Sequence, residues 1–485
     1  MPDTAPHDVC IVGAGISGLN ALVVASGYLP RSGRAVLVDS RPQAGGMWVD
    51  TYDYVRLHQP HPIFTAGNIK WQLEAAPAHL ASKPEVLDHL GHCLEVAKAR
   101  IDVDERFGWS YVGHAERDGV VDVELRAPDG STHTVVTRRL VKAFGHQVEP
   151  NPPLTTTSAR VRSVTPETLD LAAMRADDSP VWIVGGGKTA MDTAYRIITE
   201  IPGRDVHLLA GPGTIFARRD TFFPTGAKRW WGGTPINTMA QQVNQRFDGT
   251  NEEEVRDWFR STYGLSPVPG ARDFFSGYLS EAENQAITRG LRTVEREYFV
   301  DAVDRGDSEA EGVDILDRKG TSRHTPAGSW IVNCTGSLLR SHQPYEPYAS
   351  ESGNVLSLQM RSSTFGAFSP FAGYYMAHLM FRDKLRSVPL YELDIAALHG
   401  KAAPVVIYAS MALTLHNLSL IIDALPKKVL MQCGLDYNLW YPIPRQLAGV
   451  TKILATHHRT RARARSTLDT LAVRFDVRSG ALPVA

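Results

Sequence analysis

The chain has little of what marks several protein classes. Only four cysteines occur in 485 residues, Cys10, Cys93, Cys334 and Cys433, and none forms a CxxC pair. That argues against a disulfide framework, a zinc site and a dithiol reductase centre. Cys10 and Cys334 fall in apolar, strand-like runs and read as small core residues. Net charge is −1, so no general field draws nucleic acid or an anionic membrane. The one strongly basic run, 459–465 (RTRARAR), reads as a solvated helix face. The opening MPDTAPHDV has no charged stretch leading into an apolar one, so it does not read as a secretory signal. The longest apolar stretch, 404–422, is interrupted by Ser410, Thr414, His416, Asn417 and Ser419 and is expected as a buried helix rather than a membrane span. No Ser-His-Asp motif or metal-ligand cluster stands out, and no metal is expected. These absences leave a cytoplasmic protein acting on a small molecule, without nucleic-acid or membrane partners; a homodimer is compatible with the sequence.

What is present is ordered like a soluble enzyme, with 43% hydrophobic and 21% charged residues. The run DVCIV (8–12) leads into a glycine-rich turn, an apolar helix and a second strand AVLV (35–38), a β-α-β unit. A second such unit begins at VWIV (181–184), continues through a helix to about Ile198 and ends in VHLLA (206–210). Between them, 120–136 predicts a hairpin turning at Asp129-Gly130, and 138–146 a returning strand. The similar strand SWIVNCTG (329–336) closes the second unit. The expected fold class is α/β with two Rossmann-like dinucleotide-binding domains, one inserted in the other, plus a helical C-terminal region. The expected divisions are 1–165 and 331–400 for an FAD-binding domain, 166–330 for an NADPH-binding domain and 401–485 for a helical extension.

The first turn is Gly13-Ala14-Gly15-Ile16-Ser17-Gly18. Gly13 permits a tight turn off the strand, Gly15 leaves room for a pyrophosphate, and Gly18 lets helix and strand pack closely. The helix N-terminus behind them offers unpaired N–H groups to phosphate. Asp39 stands 21 residues beyond Gly18, where a carboxylate can accept ribose hydroxyls, with Ser40 and Arg41 beside it. Its place at the head of a chain with a second unit behind favours FAD. The second turn, Gly185-Gly186-Gly187-Lys188-Thr189-Ala190, has alanine at the third position, an allowed variant. The position corresponding to Asp39 is Gly211, so no acid stands in the sequence to repel a 2′-phosphate, which favours NADPH. Lys188, Arg218 and Arg219 are its candidate phosphate partners, and the Thr189 hydroxyl can reach the pyrophosphate.

Behind Asp39 come Gly45-Gly46-Met47-Trp48 and Tyr52-Asp53-Tyr54-Val55-Arg56-Leu57-His58-Gln59-Pro60. This resembles the GG-x-W signature, and the stretch that follows it, of the flavin-containing monooxygenase family (class B flavin monooxygenases). The segment 83–90 (KPEVLDHL) adds to the likeness. So do Ala143-Phe144-Gly145-His146 and Cys334-Thr335-Gly336, which look like the family's paired linking turns. The resemblance implies FAD and NADPH as cofactors and molecular oxygen as co-substrate. It also implies transfer of one oxygen atom from a C4a-hydroperoxyflavin to a soft nitrogen or sulfur. There are departures. Arg162 stands where the FxGxxxH histidine is expected, and Gln59 where the active-site asparagine would fall. Val49-Asp50-Thr51-Tyr52 replaces the Baeyer–Villiger stretch, and Ala210-Gly211 occupies the place of a common arginine.

On this footing Gln59 and His58 are the candidate catalytic groups, with His61 near them. Gly46, Met47, Trp48, Thr335, Gly336, Ser369 and Phe371 join the two turns as cofactor candidates. Ser369-Pro370 reads as a helix cap and first turn, whose N-terminus would favour anionic reduced flavin. Arg289, Arg292 and Arg296 recur at helix-like spacing, and with Lys228 they suggest recognition of a carboxylate. The most specific expectation is a likeness to the actinobacterial nitrosuccinate synthases, hence stepwise N-oxygenation of L-aspartate. S-oxygenation, a non-oxygenating flavoprotein reductase and a silent nucleotide sensor remain alternatives. The aromatic-rich stretch 436–442 (DYNLWYP) either caps the site or forms an oligomer contact.

Overall fold

A computed structural model of the protein describes residues 5–146, 148, 150–336 and 342–483. Its frame is two parallel sheets of five strands each. The first runs in the order 355–357, 140–142, 9–12, 34–39, 102–107. The second runs 291–295, 206–209, 181–184, 330–333, 162–164. Central strands Val9–Val12 and Val181–Val184 are buried on every residue, as β-branched runs covered on both faces require. The first sheet thus starts, breaks off at 142 and resumes at 355, with the whole second sheet between. The strands Arg162–Val164 and Trp330–Asn333 both pair within the second sheet. The second unit therefore reaches past the sequence-derived borders at 165/166 and 330/331.

Each sheet carries helices on one face and three antiparallel strands on the other. On the first, the expected hairpin forms between Val120–Arg126 and Thr132–Thr137, joined by Ser110–Arg117. Its inward residues Val121, Val123, Leu125 and Val135 meet Cys10, Val36 and Val38. On the second, a comparable meander of Phe299–Asp304, Val313–Asp317 and Ser322–Thr325 puts Ala302, Val313 and Ile315 against Trp182 and Leu209. The sequence pattern did not separate this second meander.

The C-terminal part is helical, with helices Val406–Ala424 and Ile443–Phe475 packed antiparallel. A closing strand Ser479–Ala481 returns to pair with Tyr391–Leu393, so the extension is stitched to the segment before it. By length and composition the stretch Ile395–Ala424 could cross a membrane, yet 72% of its most apolar window is buried inside the protein. Its polar groups are used internally: Asn417 bridges the carbonyls of Thr364 and Tyr391 at 2.7 Å each.

Candidate functional site

The two glycine turns are built alike. Gly13 has φ +104, and a Cβ there would lie 2.4 Å from the Ala143 carbonyl oxygen; Gly185 has φ +130, and its Cβ would lie 2.6 Å from that of Cys334. Each turn therefore nests under the strand end that crosses it, which explains the repeated turns at 143–146 and 334–336. Gly15 and Gly46 face one another across 3.3 Å from the missing Cβ of Gly15 to the Gly46 Cα. The Gly45 N–H donates to the Ala14 carbonyl at 3.0 Å. The glycine pair ahead of Trp48 is thus the floor of the first turn.

At the far end of the first turn Asp39 is buried. Its carboxylate accepts the N–H of Ala14 at 2.7 Å and of Arg41 at 2.9 Å, so it fixes the loop as well as facing the cavity. Arg41 donates through Nε to Asp50 at 2.5 Å. Trp109, Ser110 and Tyr111, which no local motif betrayed, complete this end; Trp109 follows a strand end and carries the Arg106 guanidinium 5.0 Å from its ring. Two helix N-termini converge nearby. Helix Ile16–Tyr28 starts from Gly15, and helix Ser369–Met380 starts from Phe368. The cap is thus Phe368 rather than Ser369. The Ser369 hydroxyl turns instead toward that of Ser17, at 3.5 Å, because Gly373 brings the helices so close that a Cβ would lie 2.2 Å from the Ser17 carbonyl oxygen.

Both turns open into one cavity of about 1770 Å³, beyond the roughly 300–1,000 Å³ of a single-ligand pocket. It takes in Gly13, Gly15, Ile16, Ser17, Asp39, Ser40, Arg41, Gly46, Met47, Trp48, His58, Gln59, Gly185, Gly187, Lys188, Thr189, Thr335, Gly336, Ser369 and Phe371. Gly18 and Ala190 are buried within the first turns of the two helices instead, where their small size serves packing. Where the units meet, the Tyr52 hydroxyl donates to Asp192 at 2.9 Å and Tyr54 bonds Thr193 at 2.7 Å; Lys188 pairs with Asp192. Gln59 is buried here, and its amide oxygen has no hydrogen-bond partner. A buried orphan acceptor costs about 1–3 kcal/mol, which a donor on a bound ligand would offset.

His58 is held rather than poised. Its Nδ1 accepts the Tyr278 N–H at 3.4 Å. Burial, with Lys188 and Arg219 nearby, pushes its imidazole down to about 3. It is therefore held in the neutral form at ordinary pH, with its ring on the cavity wall.

Of the basic residues assigned from sequence to phosphate or carboxylate, Lys188 lines the cavity, whereas Arg218, Arg219, Arg289, Arg292, Arg296 and Lys228 do not. Arg219 is 11% exposed, pairs with Glu283 at 2.7 Å and donates through Nε to the His58 carbonyl at 2.8 Å. Burial disfavours the Glu283 charge, but Arg219 and Lys188 outweigh it and hold the carboxyl below its usual range. Arg218 lies 3.4 Å from Glu281. Arg289 ends helix Glu281–Gly290 while Arg292 sits in strand Leu291–Glu295, so they share no helical face; both are exposed. Arg296 donates to the Gly270 carbonyl at 2.8 Å, and Lys228 is exposed on the short helix Lys228–Trp231. Arg162 pairs with Asp177 at 2.6 Å on an edge strand. Arg219 thus reads as a clamp on the His58-Gln59 segment. Arg219→Gln is expected to cost about 2–3 kcal/mol of stability by leaving Glu283 unpaired, without changing any preference between NADPH and NADH; thermal melts and paired KM values check this.

Nor is the end of the second turn free of acid. Gly211 donates its N–H to the Glu297 carbonyl at 3.0 Å, and Glu297, whose side chain pairs with Lys319, lines the cavity beside Tyr298. Arg318 lies 4.1 Å over the Tyr298 ring. These residues come from the loop after strand Leu291–Glu295 and from a hairpin turn, too far along the chain to show in a motif.

The segment after 425 forms the remaining wall. Trp440 donates through Nε1 to the Pro224 carbonyl at 2.9 Å, and Tyr441 through its hydroxyl to that of Phe222 at 2.8 Å. Asp436, Tyr437, Asn438 and Leu439 line the cavity, so the aromatic stretch does close the site. Among the described residues one trio, Asp423, His457 and His458, brings ligand atoms within 4.8 Å, but Arg461 already pairs with Asp423 at 2.9 Å.

No family model matches the chain, and no curated protein matches it in sequence. Solved structures to which it is similar include the reduced ornithine hydroxylase of Pseudomonas aeruginosa (13% identity, 78% of this chain and 99% of that one, TM-score 0.49). The flavin-containing monooxygenase of Stenotrophomonas maltophilia gives 14% identity over 78% and 97%, TM-score 0.45. The bacillithiol disulfide reductase of Staphylococcus aureus gives 11% over 79% and 99%, TM-score 0.46.

Proposed function

We propose that the protein is an FAD- and NADPH-dependent monooxygenase that adds one oxygen atom to a nucleophilic nitrogen of a small molecule. The observation that carries this is the meeting of two glycine-turn cradles in one cavity that Gln59, with its orphan amide oxygen, also lines. The first cradle fits FAD. Its glycines let backbone segments approach so closely that a Cβ would meet protein backbone, which brings the turn and its helix start to the cavity wall; Asp39 faces the cavity, and two helix N-termini present dipoles that favour an anion. The second cradle fits NADPH, with Lys188 and Thr189 at the helix start and Arg318 and Lys319 beside Tyr298 as candidates for the 2′-phosphate. Held in these cradles, NADPH would supply the hydride, and FAD the capacity to accept it and to activate molecular oxygen.

The chain's own groups bind, orient and exclude water. Tyr52 and Tyr54 lock the His58-Gln59 segment's neighbourhood to the second unit, and Arg219 holds its backbone. Gln59 offers its amide to the reacting centre. The four cysteines are separate buried thiols, so no thiol pair stands ready for a disulfide relay, which weighs against a dithiol reductase. The finer expectation, stepwise oxygenation of L-aspartate to nitrosuccinate, loses its footing, because Arg289, Arg292 and Lys228 are on the outer surface. Sulfur in place of nitrogen remains the alternative acceptor.

The purified protein is expected to hold FAD, to oxidise NADPH, and to place label from ¹⁸O₂ in an amine product. Flavin reduction with all the oxygen recovered as peroxide, for every amine and thioether tried, would mean a reductase or oxidase. Gln59→Leu is expected to keep flavin and NADPH oxidation but to lower the ratio of product to NADPH consumed at least tenfold. Stability should stay level or rise by about 1 kcal/mol as the orphan acceptor goes. Unchanged coupling in that variant would reduce Gln59 to a packing residue.

A further inference from the structure

Between helices Val406–Ala424 and Ile443–Phe475 the cavity has a lobe that neither glycine turn uses. Met411, Leu415, Leu418 and Ile422 form one stripe of the first helix at three- and four-residue spacing; Leu447, Val450 and Leu454 form a stripe of the second that lines the same cavity. The helices are fastened where Ser419 meets His457 at 3.0 Å and Asp423 meets Arg461 at 2.9 Å. Toward the start of the second helix, Leu447, Val450 and Leu454 line the cavity. The rim is apolar as well: Met431 is 71% exposed, Ile443 69% and Leu447 56%. A row of large apolar side chains lining a cavity and left open at its mouth is the form of a hydrocarbon-binding groove.

The same cavity holds one carboxylate suited to a cation. Asp436 starts the turn Tyr437–Trp440 and accepts the Asn438 N–H at 2.9 Å. Among the described residues no lysine, arginine or histidine pairs with it; its neighbours include Tyr375, Cys433 and Tyr437. Burial pushes its carboxyl above the usual range. Its turn packs against the segment His61–Ile63, two residues beyond Gln59. An enclosed carboxylate without a cation is unfavourable, and a ligand ammonium would supply the partner.

We propose that the substrate is a primary aliphatic amine whose ammonium docks on Asp436 and whose tail lies in the groove between helices Val406–Ala424 and Ile443–Phe475. The reaction assigned to it rests on the monooxygenase reading above; the binding does not. The balance is R–NH₂ + O₂ + NADPH + H⁺ → R–NHOH + NADP⁺ + H₂O. The O–O bond breaks, one N–O bond forms, the second oxygen leaves as water, and NADPH supplies the two electrons. The ammonium must first lose a proton to free its lone pair, and the Asp436 carboxylate is the adjacent acceptor.

Calorimetric titration of the FAD-loaded protein with n-alkylamines from butyl to decyl tests this. Kd should fall about fourfold for each added methylene. Alkanols of equal length should bind at least tenfold more weakly, and L-aspartate should show no binding. Asp436→Asn keeps a side chain able to cap the turn; it should erase the preference for amine over alcohol while leaving the chain-length series. Leu418→Asp should flatten the series. A Kd independent of chain length, or an amine preference that survives Asp436→Asn, overturns the proposal. NADPH oxidation and hydroxylamine formation, run in parallel, separate the two readings. Length-dependent binding without turnover keeps the groove and removes the monooxygenase; hydroxylamine formation without length dependence does the reverse.

Discussion

Gly18→Ala should yield a protein that purifies without flavin, whereas Gly27→Ala, in the same helix, should keep its full complement. A Cβ on Gly18 would lie 1.7 Å from the Gly13 carbonyl oxygen and 2.9 Å from its carbon. Both partners are backbone, so no side chain can swing aside. The helix must move off the strand by about 1 Å or more, opening the turn whose N–H groups face the cavity. Overpacking of this kind costs about 1–3 kcal/mol, and the displaced turn should weaken FAD by at least a hundredfold. Gly27 has nothing within 4 Å of its Cβ position and is exposed, so alanine there adds helix propensity, worth up to about 1 kcal/mol. Flavin absorbance relative to protein, with melting temperature alongside, reads out both. A Gly18→Ala protein carrying full flavin would move the FAD site away from this turn.

Both turns were legible in the sequence because each rests on a local requirement: a positive φ, a missing Cβ, a strand before and a helix after. The nested order followed, since strands near 140 and 330 carry the same apolar signature as those they join. The substrate end of the site was not legible in the sequence, for physical reasons that differ from residue to residue. Arg289 and Arg292 have helical spacing in sequence, but the chain changes from helix to strand between them, at Leu291, and turns both to solvent. Arg219 looked free and is consumed by Glu283, which also completes a capping box with Ser280. Glu297 supplies the acid that Gly211 lacks, from a loop between two strands some 85 residues later. Asp436 stood inside a stretch already notable for its aromatics. A carboxylate among Tyr437, Trp440 and Tyr441 is an unfavourable placement unless something pairs with it, and that is the one local sign that could have flagged it.

At the second turn the decisive variant is Gly187→Ala, because it separates the ligand from the fold. Gly187 caps helix Lys188–Glu200 at φ −82, an ordinary value for any residue, and no atom of the protein lies within 4 Å of where its Cβ would be. The added methyl therefore costs the protein no more than about 1 kcal/mol, the usual difference between glycine and alanine at a helix N-cap. It would nonetheless project from the residue ahead of the first free N–H groups, where a pyrophosphate must approach. KM for NADPH should rise more than tenfold, with flavin content and melting temperature unchanged. Gly185→Ala makes the contrast: at φ +130 and 2.6 Å from the Cys334 carbonyl oxygen it must lose stability, about 1–3 kcal/mol from backbone strain before any clash is counted. Its loss of NADPH turnover would therefore come with a lower melting temperature. If Gly187→Ala keeps KM within twofold of the parent, the reductant does not bind at this turn, and the symmetry between Gly13 and Gly185 is one of folding alone.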